Sequence, residues 1–330
     1  MFNKLYKEVK KIMIENHNFL LFLIFFALIL NIKFPYYIYR PGGTIDLNNR
    51  IKLDGKSINN NYASTYVTMS DASLVSIIMS YIIPNWDLER IPDVEHSSYD
   101  SKIDTLEIEN SNLIAKKYVL NKLNIPYTEE NSKVVVLSPF FDFKNDLKPG
   151  DIIYKCDDLD IKYIDDLNLC VDNSKSNFVN LKVKRNHKNK NLKAKINNYQ
   201  GRKVIGISVY RDYDIKSTPD VDIKHLEDEL GPSGGFITAL ALYDALNNSN
   251  YSLKYKISGT GTIDEDGKIG EIGGIKYKLM GADKDKVDIF FVPEDNYDEA
   301  LYFYNKFKYK FKLVLVKEFD DAIIYLESIK

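Results

Sequence analysis

The feature that most constrains this chain is a short, almost wholly apolar helical segment with glycines in front of it. Phe236, Ile237, Ala239, Leu240, Ala241, Leu242, Ala245 and Leu246 form its body, and Asn247-Asn248-Ser249-Asn250 stop it. A helix that is apolar all round must be buried in a soluble domain, so the fold has to be built around it. Leu230-Gly231-Pro232-Ser233-Gly234-Gly235 leads into it and sets a serine at its first turn. Amides there have no intrahelical partner, and with the helix dipole they can hold a developing oxyanion. Taken alone, the segment reads first as a helix cap, because serine is a favoured N-cap residue.

The residues downstream change that reading. Tyr255 to Ile263 reads as a strand running into the turn Asp264-Glu265-Asp266-Gly267-Lys268. Ile269 to Lys278 follows, with a helix expected after the double glycine Gly273-Gly274. On that helix Ile275, Leu279 and Ala282 make an apolar stripe, and Lys278 borders it more closely than Lys276 does. A lysine with a reference pKa of about 10.4 must drop by roughly 3 units, about 4 kcal/mol, to act as a base near pH 7. Desolvation supplies shifts of that size. A neutral Lys278 can then take the Ser233 proton during attack on a carbonyl, with Thr260 orienting the amine through its hydroxyl.

At these residues the sequence resembles the peptidase domain of the Lon family. Gly231 to Gly235 matches the family's Gly-Pro-Ser-(Ala/Gly)-Gly nucleophile motif, and Thr260 to Lys278 its second conserved block. Ser233 and Lys278 stand 45 residues apart, the family's distance to within a residue or two. The strand Val287 to Pro293 fits as well, and the resemblance covers about residues 200–330. It implies an α+β, ribosomal-protein-S5-domain-2-like fold for residues 199–330, with Ser233 as nucleophile, Lys278 as base and Thr260 supporting the lysine. Gly231, Pro232, Gly234, Gly235, Gly273 and Gly274 are the supporting backbone positions it implies. No cofactor and no metal are expected. Two departures stand out. Leu230 occupies the position where ATP-dependent members often carry an acid, so no carboxylate role is assigned there. Gly261 to Lys268 is no phosphate-binding loop either, because Ile269 follows the lysine where Ser or Thr is needed for magnesium.

The N-terminus suggests a membrane. Phe19 to Leu30 is apolar without a break, and Ile32, Phe34, Tyr36, Tyr37, Ile38 and Tyr39 extend the trend. No small-residue cleavage site follows, which favours an uncleaved single-pass anchor over residues 14–38 behind a tail of residues 1–13. Lys4, Lys7, Lys10 and Lys11 precede the span against Lys33 and Arg40 after it, which places the N-terminus in the cytoplasm and the rest outside.

Between anchor and peptidase, residues 39–198 read as a β-rich domain with a helical insertion at about 71–130. Ser70 or Asp71 is expected to cap a helix that runs to Pro84, and Leu106 to Leu123 is helical with Leu113, Ala115, Val119, Leu120 and Leu123 inward. Leu147-Lys148-Pro149-Gly150-Asp151-Ile152-Ile153, then a turn, a helix near Ile164 to Val171 and a strand from Phe178 to Arg185, resemble a PDZ domain. That resemblance implies capture of extended peptides by strand addition. The strand Thr65 to Met69 is expected to join this domain. Cys156 and Cys170 lie in it; a disulfide between them is open, buried thiols being the commoner fate.

Composition narrows the function class. A net charge of −2 over 330 residues removes the strongest sequence argument for a nucleic-acid partner. Two cysteines are too few for a disulfide scaffold. Of the histidines, His17 flanks the apolar run and His96 and His187 lie in polar segments, while His225 reads as a solvated loop residue rather than a base for Ser233. Anchor, PDZ-like domain and Lon-type peptidase in this order resemble the PDZ-containing, membrane-bound Lon proteases of Gram-positive bacteria. They imply an ATP-independent Ser-Lys endopeptidase acting on small or unfolded extracytoplasmic peptides and proteins, with homo-oligomers open. The alternative is an inactive, anchored PDZ scaffold.

Overall fold

A computed structural model describes residues 15–91, 99–140, 143, 145–226, 229 and 231–330. The expected tail of residues 1–13, His96 and Leu230 lie outside the described residues. The chain forms two units, residues 1–42 with 67–94, and residues 43–66 with 95–330.

In the first unit the apolar run folds as the helix His17–Leu30. Asn31 ends it, its side-chain amide donating back to the Ala27 carbonyl at 2.8 Å. The strand Lys33–Asp46 begins two residues later, and its Tyr36 to Tyr39 stretch pairs antiparallel with Asp87–Arg90. This corrects the expected anchor over residues 14–38. Fourteen helical residues span about 21 Å, short of the roughly 30 Å hydrocarbon core. Among the described residues no helix is long and apolar enough to cross a membrane. The apolar trend past Lys33 is that of a strand, since Phe, Tyr and Ile favour extended chain and Pro35 cannot continue a helix. The helix Leu74–Ile82 is capped by Ser73 and not by Ser70 or Asp71. Those two residues are still inside the strand Tyr62–Ser73.

The second unit holds two main sheets, beside small ones of two or three strands. In the first, Tyr62 to Ser64, Ile257–Gly259, Ile289–Pro293 and Lys312–Val316 run parallel, with Ile257 between Tyr62 and Ile289. Ile289–Pro293 is buried at every residue, the pattern of a parallel strand covered on both faces. The apolar helix Gly235–Asn247 packs in this core, with Phe236 edge-on to Phe291 and Phe319 at 6.0 and 6.3 Å between ring centres. Ala115, Val119 and Leu120 of the helix Tyr99–Lys122 are fully buried in the same core.

The second sheet is antiparallel, in the order Lys188–Lys195, Phe178–Arg185, Ile152–Cys156, Tyr127–Pro139, Ile207–Ser217. The helix Ile164–Asn173 lays Leu167 and Val171 on its core. The Pro149-Gly150-Asp151 turn is fixed by the fully buried Asp151 carboxylate, which accepts from Arg185 at 2.6 Å and from the Lys148 amide. Cys156 and Cys170 are joined by a disulfide, so the two are not free thiols.

Two boundaries differ from the sequence expectation. The strand at residue 65 pairs with Ile257–Gly259, not with the antiparallel sheet. The Ile207–Ser217 strand pairs with Tyr127–Pro139, so a border at residue 199 would cut through a sheet. Strand partners are set by register across long separations, which local alternation does not encode.

Candidate active site

Gly231, at φ +77°, turns the chain into Pro232 and Ser233, and Gly234 is the N-cap of the buried helix. Ser233 is half-buried and so reachable from solvent. Among the described residues no acceptor takes the Ser233 or Gly234 amide, while the Gly235 amide closes onto the Pro232 carbonyl at 3.1 Å. Gly235 is required by packing. A Cβ there would lie 2.3 Å from Ser111 Oγ, the hydroxyl that donates to the Pro232 carbonyl at 3.2 Å.

The lysine arrives from the helix Ile275–Lys284. Gly274, its N-cap, takes φ +71°, a conformation a side chain would strain. Just ahead, the buried Asn296 exchanges two hydrogen bonds with the Ile272 backbone, both 2.9 Å, and so fixes the helix entry. Gly273 is exposed with open space around its Cα. Ile275, Leu279 and Ala282 are fully buried, and the same face buries Lys278 to 4% exposure. Lys276 turns away, its ammonium over the Tyr277 and Phe303 rings.

Lys278 Nζ stands 2.9 Å from Ser233 Oγ and donates to the Thr65 carbonyl oxygen at 3.1 Å. Burial pulls its pKa down to about 8, and the Glu229 carboxylate opposes that fall. A neutral amine in this position can donate to Thr65 and turn its lone pair to the serine hydroxyl. Thr260 acts differently from the expectation. Its hydroxyl donates to the Ser233 carbonyl at 3.1 Å, and the Gly261 amide donates to the same oxygen at 2.8 Å. Thr260 therefore pins the serine's backbone, and Thr65 is the residue that orients the lysine.

The structure thus brings Ser233, Lys278, Gly231, Pro232, Gly234, Gly235 and Thr260 to one place, with Gly273 and Gly274 at the entry to the lysine helix. Sequence reasoning missed Thr65, Arg50, Ser111, Glu229 and Asn296. The signal for Glu229 was present, a carboxylate one residue before Leu230, but the others lie far from both motifs in the chain. Ser233 Oγ meets Lys278 and no histidine among the described contacts. The side chains that cluster at metal-ligand distance, Cys156, Asp157 and Cys170, include the two sulfurs already bonded to each other.

The sequence that carries this geometry is similar to that of known proteins. Residues 208–327 match the family model of the Lon protease (S16) C-terminal proteolytic domain. The Lon protease of Campylobacter concisus is 32% identical over 117 residues, 35% of this chain and 14% of that protein. The Lon protease of Mesomycoplasma hyopneumoniae is 42% identical over 66 residues, 20% of this chain and 7% of that protein. That of Clostridium acetobutylicum is 30% identical over 93 residues, 28% of this chain and 12% of that protein. The chain therefore matches only a small part of these relatives' length, and the segment that matches the family model holds Ser233 and Lys278. The buried lysine against a serine at a helix start thus lies within a segment similar to the proteolytic domain of Lon serine proteases.

Proposed function

We propose that this chain is a serine endopeptidase in which Ser233 attacks the scissile carbonyl and Lys278 is its general base. The 2.9 Å approach of a buried lysine to a reachable serine carries the reading. Neutral Lys278 takes the Ser233 Oγ proton as Oγ bonds to the carbonyl carbon. Negative charge on the carbonyl oxygen falls to the Ser233 and Gly234 amides at the helix start. The Lys278 ammonium then returns its proton to the leaving amine, and water repeats the sequence on the acyl-enzyme. Thr260 and Gly261 hold the serine's carbonyl so that Oγ does not drift during these steps.

In this reading the substrates are unfolded or extended peptides and cleavage needs no ATP; Gly261 to Lys268 is not a phosphate-binding loop, because Ile269 follows the lysine where Ser or Thr would be needed. The antiparallel sheet with its Ile164–Asn173 helix is the PDZ-like element that would hold such a peptide. The Cys156–Cys170 disulfide supports work in an oxidising compartment outside the cytoplasm. Purified protein should cleave an unstructured polypeptide without nucleotide, and Ser233→Ala and Lys278→Ala should each abolish cleavage. Activity retained in either would sink the dyad. Differential alkylation of the two cysteines in protein taken directly from cells tests the compartment, and free thiols would refute it.

A further inference from the structure

One charged pair beside the dyad has no role in the steps above. Arg50 is 3% exposed, and its Nη1 donates to Glu229 Oε1 at 2.8 Å. Its Nε donates to the Lys224 carbonyl at 2.9 Å, and its own carbonyl accepts from the Lys224 amide at 2.8 Å. Arg50 is thereby fixed at both ends to the segment that leads into the nucleophile loop. The Glu229 amide donates to the Leu226 carbonyl at 3.1 Å. The same carboxylate oxygen that Arg50 holds lies 3.9 Å from where a side chain on Gly234 would begin. Arg50, Glu229, Gly231, Pro232, Gly234 and Ser111 line one small cavity beside the loop.

We propose that Arg50, which precedes the matched segment 208–327, is a positioning residue for the dyad: it clamps the Glu229 carboxylate beside the nucleophile loop and so sets the charge that Lys278 faces. This rests on the reading of Ser233 and Lys278 as nucleophile and base. Glu229 is the charged group among the described residues that acts on Lys278, and its effect is to hold the amine protonated. From the strand side Lys278 meets the uncharged Thr65 carbonyl, and from the loop the Ser233 hydroxyl. Arg50 is the counter-charge to Glu229. A buried carboxylate left without its cation would draw the ammonium's proton tighter.

The test is the pH dependence of kcat/KM on an unstructured peptide, measured on the full chain. Arg50→Met should move the acidic limb to higher pH by about half a unit or more, a roughly threefold loss at neutral pH. Arg50→Lys should return the limb towards the wild-type position, because it restores the charge. Glu229→Gln, which keeps the shape of the side chain, should move the limb the other way. If Arg50→Met does not fold, the Glu229→Gln profile decides. A limb unchanged in Glu229→Gln, or in folded Arg50→Met, overturns the proposal. A wild-type activity that survives Ser233→Ala overturns the dyad itself, and is told apart because it requires no Arg50 variant.

Discussion

The Lys278 amine donates to the carbonyl oxygen of Thr65, a residue 213 positions earlier in the chain. The proposed base is thus held by a strand that lies outside residues 208–327, the segment that matches the Lon proteolytic-domain model. That strand also supplies Tyr62 to Ser64 as the parallel neighbour of Ile257–Gly259. A fragment of residues 200–330 would lose both and expose an unpaired, apolar strand edge. Such a fragment should aggregate or remain unfolded, as read by circular dichroism and size-exclusion chromatography. A monomeric fragment with full peptidase activity would show that the strand is dispensable.

The buried amine predicts how activity follows pH. Lys278 must be neutral to accept the serine proton, so kcat/KM should rise with pH through a midpoint near 8. A histidine base would place that midpoint near 6.5. A pH profile on a short peptide separates the two, and a midpoint at the histidine value would exclude Lys278.

The same burial should cost stability. The folded pKa of about 8 lies below the ordinary 10.5, so the unfolded chain binds the proton more tightly than the folded one. Stability therefore rises with pH between about 8 and 10.5 and carries the full penalty below about 8. That penalty is about 3 kcal/mol, on the scale of 1.36 kcal/mol per pKa unit. Lys278→Met should raise the melting temperature at pH 7 while abolishing cleavage, and the gain should vanish above about pH 10.5. Calorimetry at pH 7 and pH 10.5 checks both signs.

How much of this could be read from the chain alone follows from sequence distance. Gly231 to Gly235 and Thr260 to Lys278 are contiguous, and each carries its own turn and helix start, so their chemistry is local. Burial of Lys278 followed from the stripe of Ile275, Leu279 and Ala282. Thr65, Arg50 and Ser111 are brought in by strand register and helix packing from regions without a motif, and nothing near them in sequence points to a serine more than a hundred residues away. The run from Phe19 to Tyr39 misled for a different reason. Hydrophobicity continues through Asn31 and Lys33 while the backbone changes from helix to strand, and periodicity over so short a stretch does not mark that change. Thr260 is expected from its place between the two motifs to orient the lysine, whereas its hydroxyl donates to the Ser233 carbonyl.

The contact between Ser111 and the nucleophile loop gives a prediction with an internal control. Gly235→Ala would put a methyl 2.3 Å from Ser111 Oγ, so the hydroxyl must leave its place and release the Pro232 carbonyl. Both residues are buried, and overpacking of this kind costs about 1–3 kcal/mol. Activity should fall more than stability does, because the displaced carbonyl adjoins Ser233. Ser111→Ala removes the clashing oxygen and should restore part of the stability that Gly235→Ala loses, giving a non-additive double-mutant cycle. Additive losses in that cycle, measured by denaturant unfolding, would mean that the two residues do not meet in the way the structure places them.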